Sequence, residues 1–205
     1  TFDNTQMKVN FLNNAFRIPD GGYVDFNNEK INLDGLSLED TLGNQAQMMG
    51  EISLYNIENI GLDIKLWDFD ELLIMNTTAK DNPLFYGTVA AKSIDTTFIR
   101  GTANKIAITS KVSTSPGTWL DIPISSYSNA SRLDYVNFIA KGDTIQNNGK
   151  KIDLSGFLLD LTVEPTEDAR IRLIFDEQVG DIIEATGAGA INLVISDKGE
   201  FSMTG

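Results

Sequence analysis

The side chains with most chemistry to offer are carboxylates. Asp68, Asp70 and Glu71 form one cluster, Asp34, Glu39 and Asp40 a second, and Glu164, Glu167 and Asp168 a third. Calcium takes several oxygens at fixed spacing around a tight turn. None of the three matches an EF-hand loop; Asp34-Gly35 followed by Glu39-Asp40 comes nearest, and solvated turn charge is the simpler reading. A glycosidase needs two carboxylates ~5–10 Å apart, a condition that 29 acids meet somewhere by chance. Trp67 and Trp119 sit on the polar phase of their segments, where an indole can stack on a sugar or lie under a neighbouring loop. The chain has no His and no Cys. That removes Ser-His-Asp triads, Cys-His pairs, His or Cys zinc sites, iron–sulfur clusters and disulfides together. There is no Ser-x-x-Lys and no Gly-x-Ser-x-Gly, and Gly187-Ala188-Gly189-Ala190 lacks the Gly-x-Gly-x-x-Gly pattern and a following helix. The expectation is a protein that is not an enzyme and needs neither metal nor cofactor.

Charge narrows the partners further. Sixteen Lys and Arg against 29 Asp and Glu leave a net charge of −13. Such a field repels polyanions, so nucleic acid is not an expected partner, and adsorption to an anionic membrane surface is disfavoured. At 41% hydrophobic the chain is globular in composition, and 205 residues can bury a sizeable core. No window approaches the ~18 apolar residues of a membrane span. The densest short run is Leu72-Leu73-Ile74-Met75. There is no initiating Met, no basic n-region and no signal-like apolar region at the start, and Phe201–Gly205 alternate like a strand in progress. Both ends read as cut, so a piece of a longer protein is expected.

Whatever positions these side chains is built on period two. Met7, Val9 and Phe11 alternate with polar residues, as do Leu62, Ile64 and Leu66; Ile106, Ile108 and Val112; Leu120, Ile122 and Ile124. So do Phe157, Leu159, Leu161 and Val163, with Leu158 as an exception; Ile171, Leu173 and Phe175 oppose Arg170 and Arg172, with Ile174 out of phase; Ile191, Leu193 and Ile195 oppose Asn192 and Ser196. Each such segment is a strand with one apolar and one wet face. Turn residues punctuate them at Pro19–Gly22, Asn27-Asn28, Asp34-Gly35, Gly43-Asn44, Asp81–Pro83, Ser115–Gly117 and Asp197–Gly199. Helical periodicity is nearly absent, with one candidate turn at Ser128–Leu133. The polar stretch Lys141–Lys151 reads as a long mobile loop, dividing one elongated β domain into residues 1–140 and 152–205. An all-β chain of this pattern is a packed sandwich, a closed barrel, or a long sheet curled without closing. The sandwich is the default, but glycines in or beside strands, among them Gly50, Gly87 and Gly101, suit a strongly curved sheet.

One set of motifs goes beyond patterning. Glu164-Pro165 precedes Ala169–Asp176, then come Val179–Ala185, Gly187-Ala188-Gly189, Ile191-Asn192-Leu193 and Gly199–Met203. With Phe85–Val89, Phe98–Gly101, Ser115–Ile124 and Asp134–Phe138, this stretch resembles the C-terminal region of the TamB family, of the AsmA-like bridge proteins. The resemblance covers roughly residues 45–205. It implies an all-β open sheet curled into a taco-like trough with an apolar interior. It implies a periplasmic setting, with the full-length protein anchored in the inner membrane by an N-terminal helix outside this chain. It also implies carriage of phospholipid to the outer membrane, support of outer-membrane protein assembly and secretion, and an outer-membrane barrel partner of the TamA type.

On that reading the in-phase apolar side chains line a groove for acyl chains. They are Ile52 and Leu54; Leu62, Ile64 and Leu66; Phe85 and Val89; Ile106 and Ile108; and Leu120 and Ile122. After the polar stretch come Phe157, Leu159 and Leu161; Ile171, Leu173 and Phe175; and Ile191, Leu193 and Ile195. Each buried methylene is worth ~0.8 kcal/mol, so an apolar trough removes most of the cost of carrying a lipid through water. Two other readings remain. One is a carbohydrate-binding or adhesin-like sandwich using Trp67 and Trp119. The other is a scaffold whose open edge pairs with strands of outer-membrane protein clients; open edges also invite dimers.

Overall fold

The computed structural model describes residues 5–19, 22, 24–55, 58–83, 85–102, 104–123, 156–176 and 180–205. The candidate turn at Ser128–Leu133, the motif Asp134–Phe138 and the loop Lys141–Lys151 lie outside the described residues. Period two yields strands throughout: β1 (Thr5–Val9), β2 (Asn14–Ile18), β3 (Asp25–Asn27), β4 (Lys30–Glu39), β5 (Gln45–Ser53), β6 (Gly61–Trp67), β7 (Leu72–Thr77) and β8 (Tyr86–Ser93). They continue as β9 (Thr97–Thr102), β10 (Lys105–Thr114), β11 (Trp119–Pro123), β12 (Phe157–Glu164), β13 (Arg170–Asp176), β14 (Asp181–Ala185), β15 (Ile191–Ile195) and β16 (Phe201–Thr204). The alternation that runs on to Phe11 in sequence stops at Val9, where a 3-10 turn, Asn10–Leu12, follows.

Among the described residues all sixteen strands belong to one open sheet. One half runs β4–β5–β6–β9–β10 antiparallel, then β12 parallel to β10, then β15 and β16 antiparallel. The other half runs β7–β8–β11 antiparallel, then β13 parallel to β11, then β14 antiparallel. The halves are continuations of the same long strands. Ile106 faces Phe157 and Trp119 faces Arg170, a shared offset of 51 residues carried from β10–β12 into β11–β13. Residues 68–71, 94–96, 115–118, 165–169 and 186–190 interrupt these strands at matching levels, so a crease crosses the sheet. Backbone hydrogen bonds hold it: Ser93 N–H to Phe69 O at 2.9 Å, Ser115 N–H to Ala90 O at 2.8 Å, Arg170 N–H to Thr118 O at 3.1 Å.

Asp34-Gly35 is not the turn its composition suggests. The pair forms a bulge inside β4, where the register to β5 jumps between Leu33 and Leu36. The extra residue resets the phase, so Leu33, Leu36 and Leu38 are all buried although their spacing is not strictly two. Close approach is built in as well. A Cβ on Gly50 (φ 146°) would stand 2.0 Å from Asp63 O, and one on Gly101 (φ 125°) 2.1 Å from Lys105 O. Only glycine permits that backbone contact and that φ, and both positions fall on the sheet's apolar face.

Candidate functional site

Register assigns the apolar face row by row. Ile31, Ile52, Leu62, Gly101, Ile106 and Phe157 lie side by side across β4, β5, β6, β9, β10 and β12. Phe26 on β3 extends that row beyond Ile31. The next row is Leu33, Gly50, Ile64, Ile99, Ile108, Leu159 and Ile195. The third joins Leu36, Met48, Leu66 and Thr97, then Ser110, Leu161, Leu193 and Met203. Thr97 and Ser110 are its polar members, and their hydroxyls satisfy each other at 2.6 Å. Beyond the crease the same face carries Val89, Leu120 and Ile171, with Ile122 beside Leu173.

Burial along this face is uneven. Ile52, Leu54, Leu62, Ile64, Leu66, Phe85, Val89, Ile106, Ile108 and Leu120 are half-buried, as are Phe157, Leu159, Leu161, Ile171, Leu173, Ile191 and Leu193. Ile122 and Ile195 are buried outright. Phe175 stands at a register shift near the end of β13 and is 40% exposed. At the crease the face is filled. Phe16, Leu38, Ala46, Phe69, Leu72, Ala91 and Val112 form one buried cluster, with Val9, Leu66, Ile74, Leu161 and Val163 packed against it. A second, smaller cluster joins Leu33, Leu36 and Met48, with Ile52 and Ile64 at its border.

The opposite face is charged. Lys30–Glu51, Arg100–Asp63 and Lys111–Glu164 bridge neighbouring strands at 2.9, 3.1 and 3.0 Å. The Glu51 hydrogen bond raises the Lys30 ammonium above its ordinary pKa. Trp119, Asp121, Arg170, Arg172 and Glu184 outline a shallow depression of ≈ 250 Å³ here, and Trp119 is 37% exposed. Trp67, half-buried, lies far off in register opposite Gln47, so the two indoles form no common platform.

The acidic clusters turn out to be structural. Asp40 is not solvated: it is 3% exposed, and its carboxylate accepts the Leu42, Asn44 and Leu73 N–H groups and the Asn44 amide. The Leu73 contact caps the edge of β7, which Asn13, Asn14 and Asn44 also cover through the carbonyls of Asn76, Leu73 and Glu71. Glu39 pairs with Arg17, with Nε to Oε1 at 2.8 Å. Asp68 and Glu71 adopt left-handed φ of 52° and 54° at the crease, and Asp70 pairs with Lys92. Asp168 accepts the Gly117 N–H at 2.9 Å, which with the Thr166 hydroxyl pulls its pKa below the usual carboxylate range. Among the described residues no group of three or more acids could hold a metal ion, and no helix is long and apolar enough to cross a membrane.

The described strands thus form one open β-sheet with a largely apolar face and a charged face. The family model of the TamB C-terminal domain matches residues 34–205, and the chain belongs to that family, one of transport and assembly proteins. No curated protein and no solved structure matches the chain.

Proposed function

We propose that the chain is part of a periplasmic bridge between inner and outer membrane, whose apolar face carries phospholipid acyl chains toward the outer membrane and supports outer-membrane protein assembly. One observation carries this reading. Ile31, Ile52 and Leu62, then Ile106 and Phe157 across Gly101, form one apolar row, and every one of them remains partly exposed to solvent. Sheet faces that pack against a second layer lose that exposure; this row keeps it, as a surface for hydrocarbon would. Within the same reading, the partner at the outer membrane is a barrel of the TamA type, and the anchor is a helix outside this chain. A photo-crosslinking residue at Ile64 tests it in cells. Capture of phospholipid is the expected result; capture of protein neighbours alone refutes carriage at that position.

A second reading rests on the edge. β14 pairs only with β13 among the described residues, all five of its residues are exposed, and Ile182 and Ile183 are 38% and 53% exposed. An unpaired apolar edge accepts another strand, from a client or a second copy. Crosslinks from Ile183 to client strands favour that role, and crosslinks to Ile183 of a second copy favour a dimer.

A further inference from the structure

β14 ends the sheet on one side. β14 and β15 are two halves of one long strand, interrupted at residues 186–190, and they differ in one respect. β15 has β12 on one flank and β16, antiparallel, on the other. β14 has β13 on one flank and, among the described residues, no strand on the other. All five of its residues are exposed, and a Cβ added at Gly180 or Gly187, beside its two ends, would meet nothing within 4 Å. A strand laid along this edge in line with β16 would run antiparallel to β14.

The register dictates what that strand must carry. On the charged face Asp121, Arg172 and Glu184 stand side by side, so charge alternates outward and the row ends on a carboxylate. Arg172 is already taken, because it holds Asp121 with two nitrogens. Glu184 acts on Arg172 only through space, without an ion pair. On the apolar face Ile122, Leu173 and Ile183 form the matching row, and Ile183, last in line, is 53% exposed. β14 carries two carboxylates, Asp181 and Glu184, and no base, within a chain of net charge −13. A basic residue beside Glu184 and an apolar one beside Ile183 complete both rows. A second copy cannot complete both. With like faces aligned, two β14 strands meet about Ile182, Ile183 or Glu184. Those frames set Asp181 against Ile183, Ile182 against Glu184, or Glu184 against itself, and none gives Glu184 a cation.

We infer that the β14 edge receives an antiparallel strand of a different chain, with basic side chains on the charged face and apolar ones on the other, in preference to a second copy. The inference rests on the edge reading above and names the chemistry of its partner. The main-chain ladder supplies attachment, and the two side-chain rows supply selection.

The test is fluorescence anisotropy of labelled ten-residue peptides with the whole chain. The peptides are alternating Val-Lys, alternating Val-Glu, and Val-Lys N-methylated at every second residue, which cannot complete a ladder. Val-Lys is expected to bind about tenfold tighter than either of the others. Glu184→Lys should weaken Val-Lys about fivefold and strengthen Val-Glu by a similar factor, with Glu184→Gln between. Glu29→Lys makes the same change of net charge at the turn between β3 and β4 and should leave the preference intact. Cooperative unfolding verifies each variant, and Glu184→Gln guards against misfolding of the lysine. Equal weakening by Glu29→Lys, or undiminished binding of the N-methylated peptide, would show general attraction to an acidic surface and overturn the inference. Equal affinity for Val-Lys and Val-Glu overturns the charge preference and leaves the edge reading standing. Binding of neither removes the edge reading too. Sedimentation that finds dimers, lost on Ile183→Lys, would make a second copy the occupant and also overturn it.

Discussion

The hydroxyls of Thr114 and Thr166 lie 2.8 Å apart across the crease, and Thr114 Oγ1 also accepts the Thr166 N–H at 2.7 Å. The two threonines end β10 and follow β12, strands paired in parallel, so one contact locks the bends of both. Thr114→Val removes the acceptor and strands a peptide N–H, which should cost about 1–3 kcal/mol. Thr166→Val removes the hydroxyl pair and the hydroxyl's bond to Asp168 but leaves the Thr166 N–H its acceptor, and should cost about 1 kcal/mol. Urea denaturation of the two variants checks the order; equal losses would mean that the backbone bond contributes nothing.

Asp168 clips the same bends together through Gly117, and its pKa is lowered in the folded state. The sign follows from linkage. A carboxylate with a depressed folded pKa stabilises fully above its unfolded value, near ~3.9, and that contribution fades as pH falls through the folded value. Asp168→Asn should therefore lower Tm at neutral pH, and the gap should shrink as pH drops below about 4. A gap that stays constant into acid would show that the charge of Asp168 plays no part.

Gly50 and Gly187 offer a matched comparison. A Cβ at Gly50 meets Asp63 O at 2.0 Å, whereas one at Gly187 meets nothing within 4 Å. Gly50→Ala should cost upward of about 2 kcal/mol, with the clash and the strained φ adding. Gly187→Ala should be neutral or stabilising by a few tenths of a kcal/mol. Thermal melts decide; similar Tm values for the two variants would disprove the close approach at β5–β6.

The strands and their apolar faces were legible because period two survives in β6, where Leu62, Ile64 and Leu66 alternate cleanly with Asp63 and Lys65, and on one phase of β10, β12 and β15. What was hidden lay where the pattern breaks. Leu33, Leu36 and Leu38 share one face only because the bulge at Asp34-Gly35 inserts a residue, and no alternation rule reveals that. Phe69 and Leu72 flank a left-handed bend, so their convergence with Phe16 depends on contacts between strands far apart in sequence. Asp40 looked like turn charge; its burial comes from Leu73, 33 residues away. Alternation identifies faces, whereas filling of a face is decided by long-range geometry.

Arg172 and Asp121 test the charged face. Arg172 grips Asp121 with both Nε–H, at 2.7 Å, and its terminal amine, and the Asp121 side chain is 2% exposed against 40% for Arg172. Removing the arginine leaves a buried carboxylate without its cation. Arg172→Met should cost about 2 kcal/mol, less than a fully buried pair because the guanidinium is partly solvated. Arg172→Lys should recover only part of this, since a single ammonium cannot reproduce the two-pronged grip. If chemical denaturation finds Lys equal to Arg, charge alone suffices and the fork is incidental.

Ile64 and Leu72 separate the open trough from the filled crease. Both are apolar strand residues on the same face, but Ile64 is half-buried and Leu72 is 1% exposed. An asparagine at Leu72 must give up water without a partner and leaves a void where the leucine packed, a loss of about 3–5 kcal/mol. An asparagine at Ile64 keeps access to solvent but loses part of the packing on Leu33, Leu36 and Met48, and should cost about 1–2 kcal/mol. Its larger effect should fall on lipid, because a carboxamide in the row between Ile99 and Gly50 interrupts the apolar surface an acyl chain would follow. Urea titration and mass spectrometry of co-purified lipid measure the two losses separately. Ile64→Asn should stay folded with lipid reduced several-fold, and Leu72→Asn should lose stability first. If Ile64→Asn unfolds as readily as Leu72→Asn, Ile64 is core, and the trough is closed where this reading needs it open.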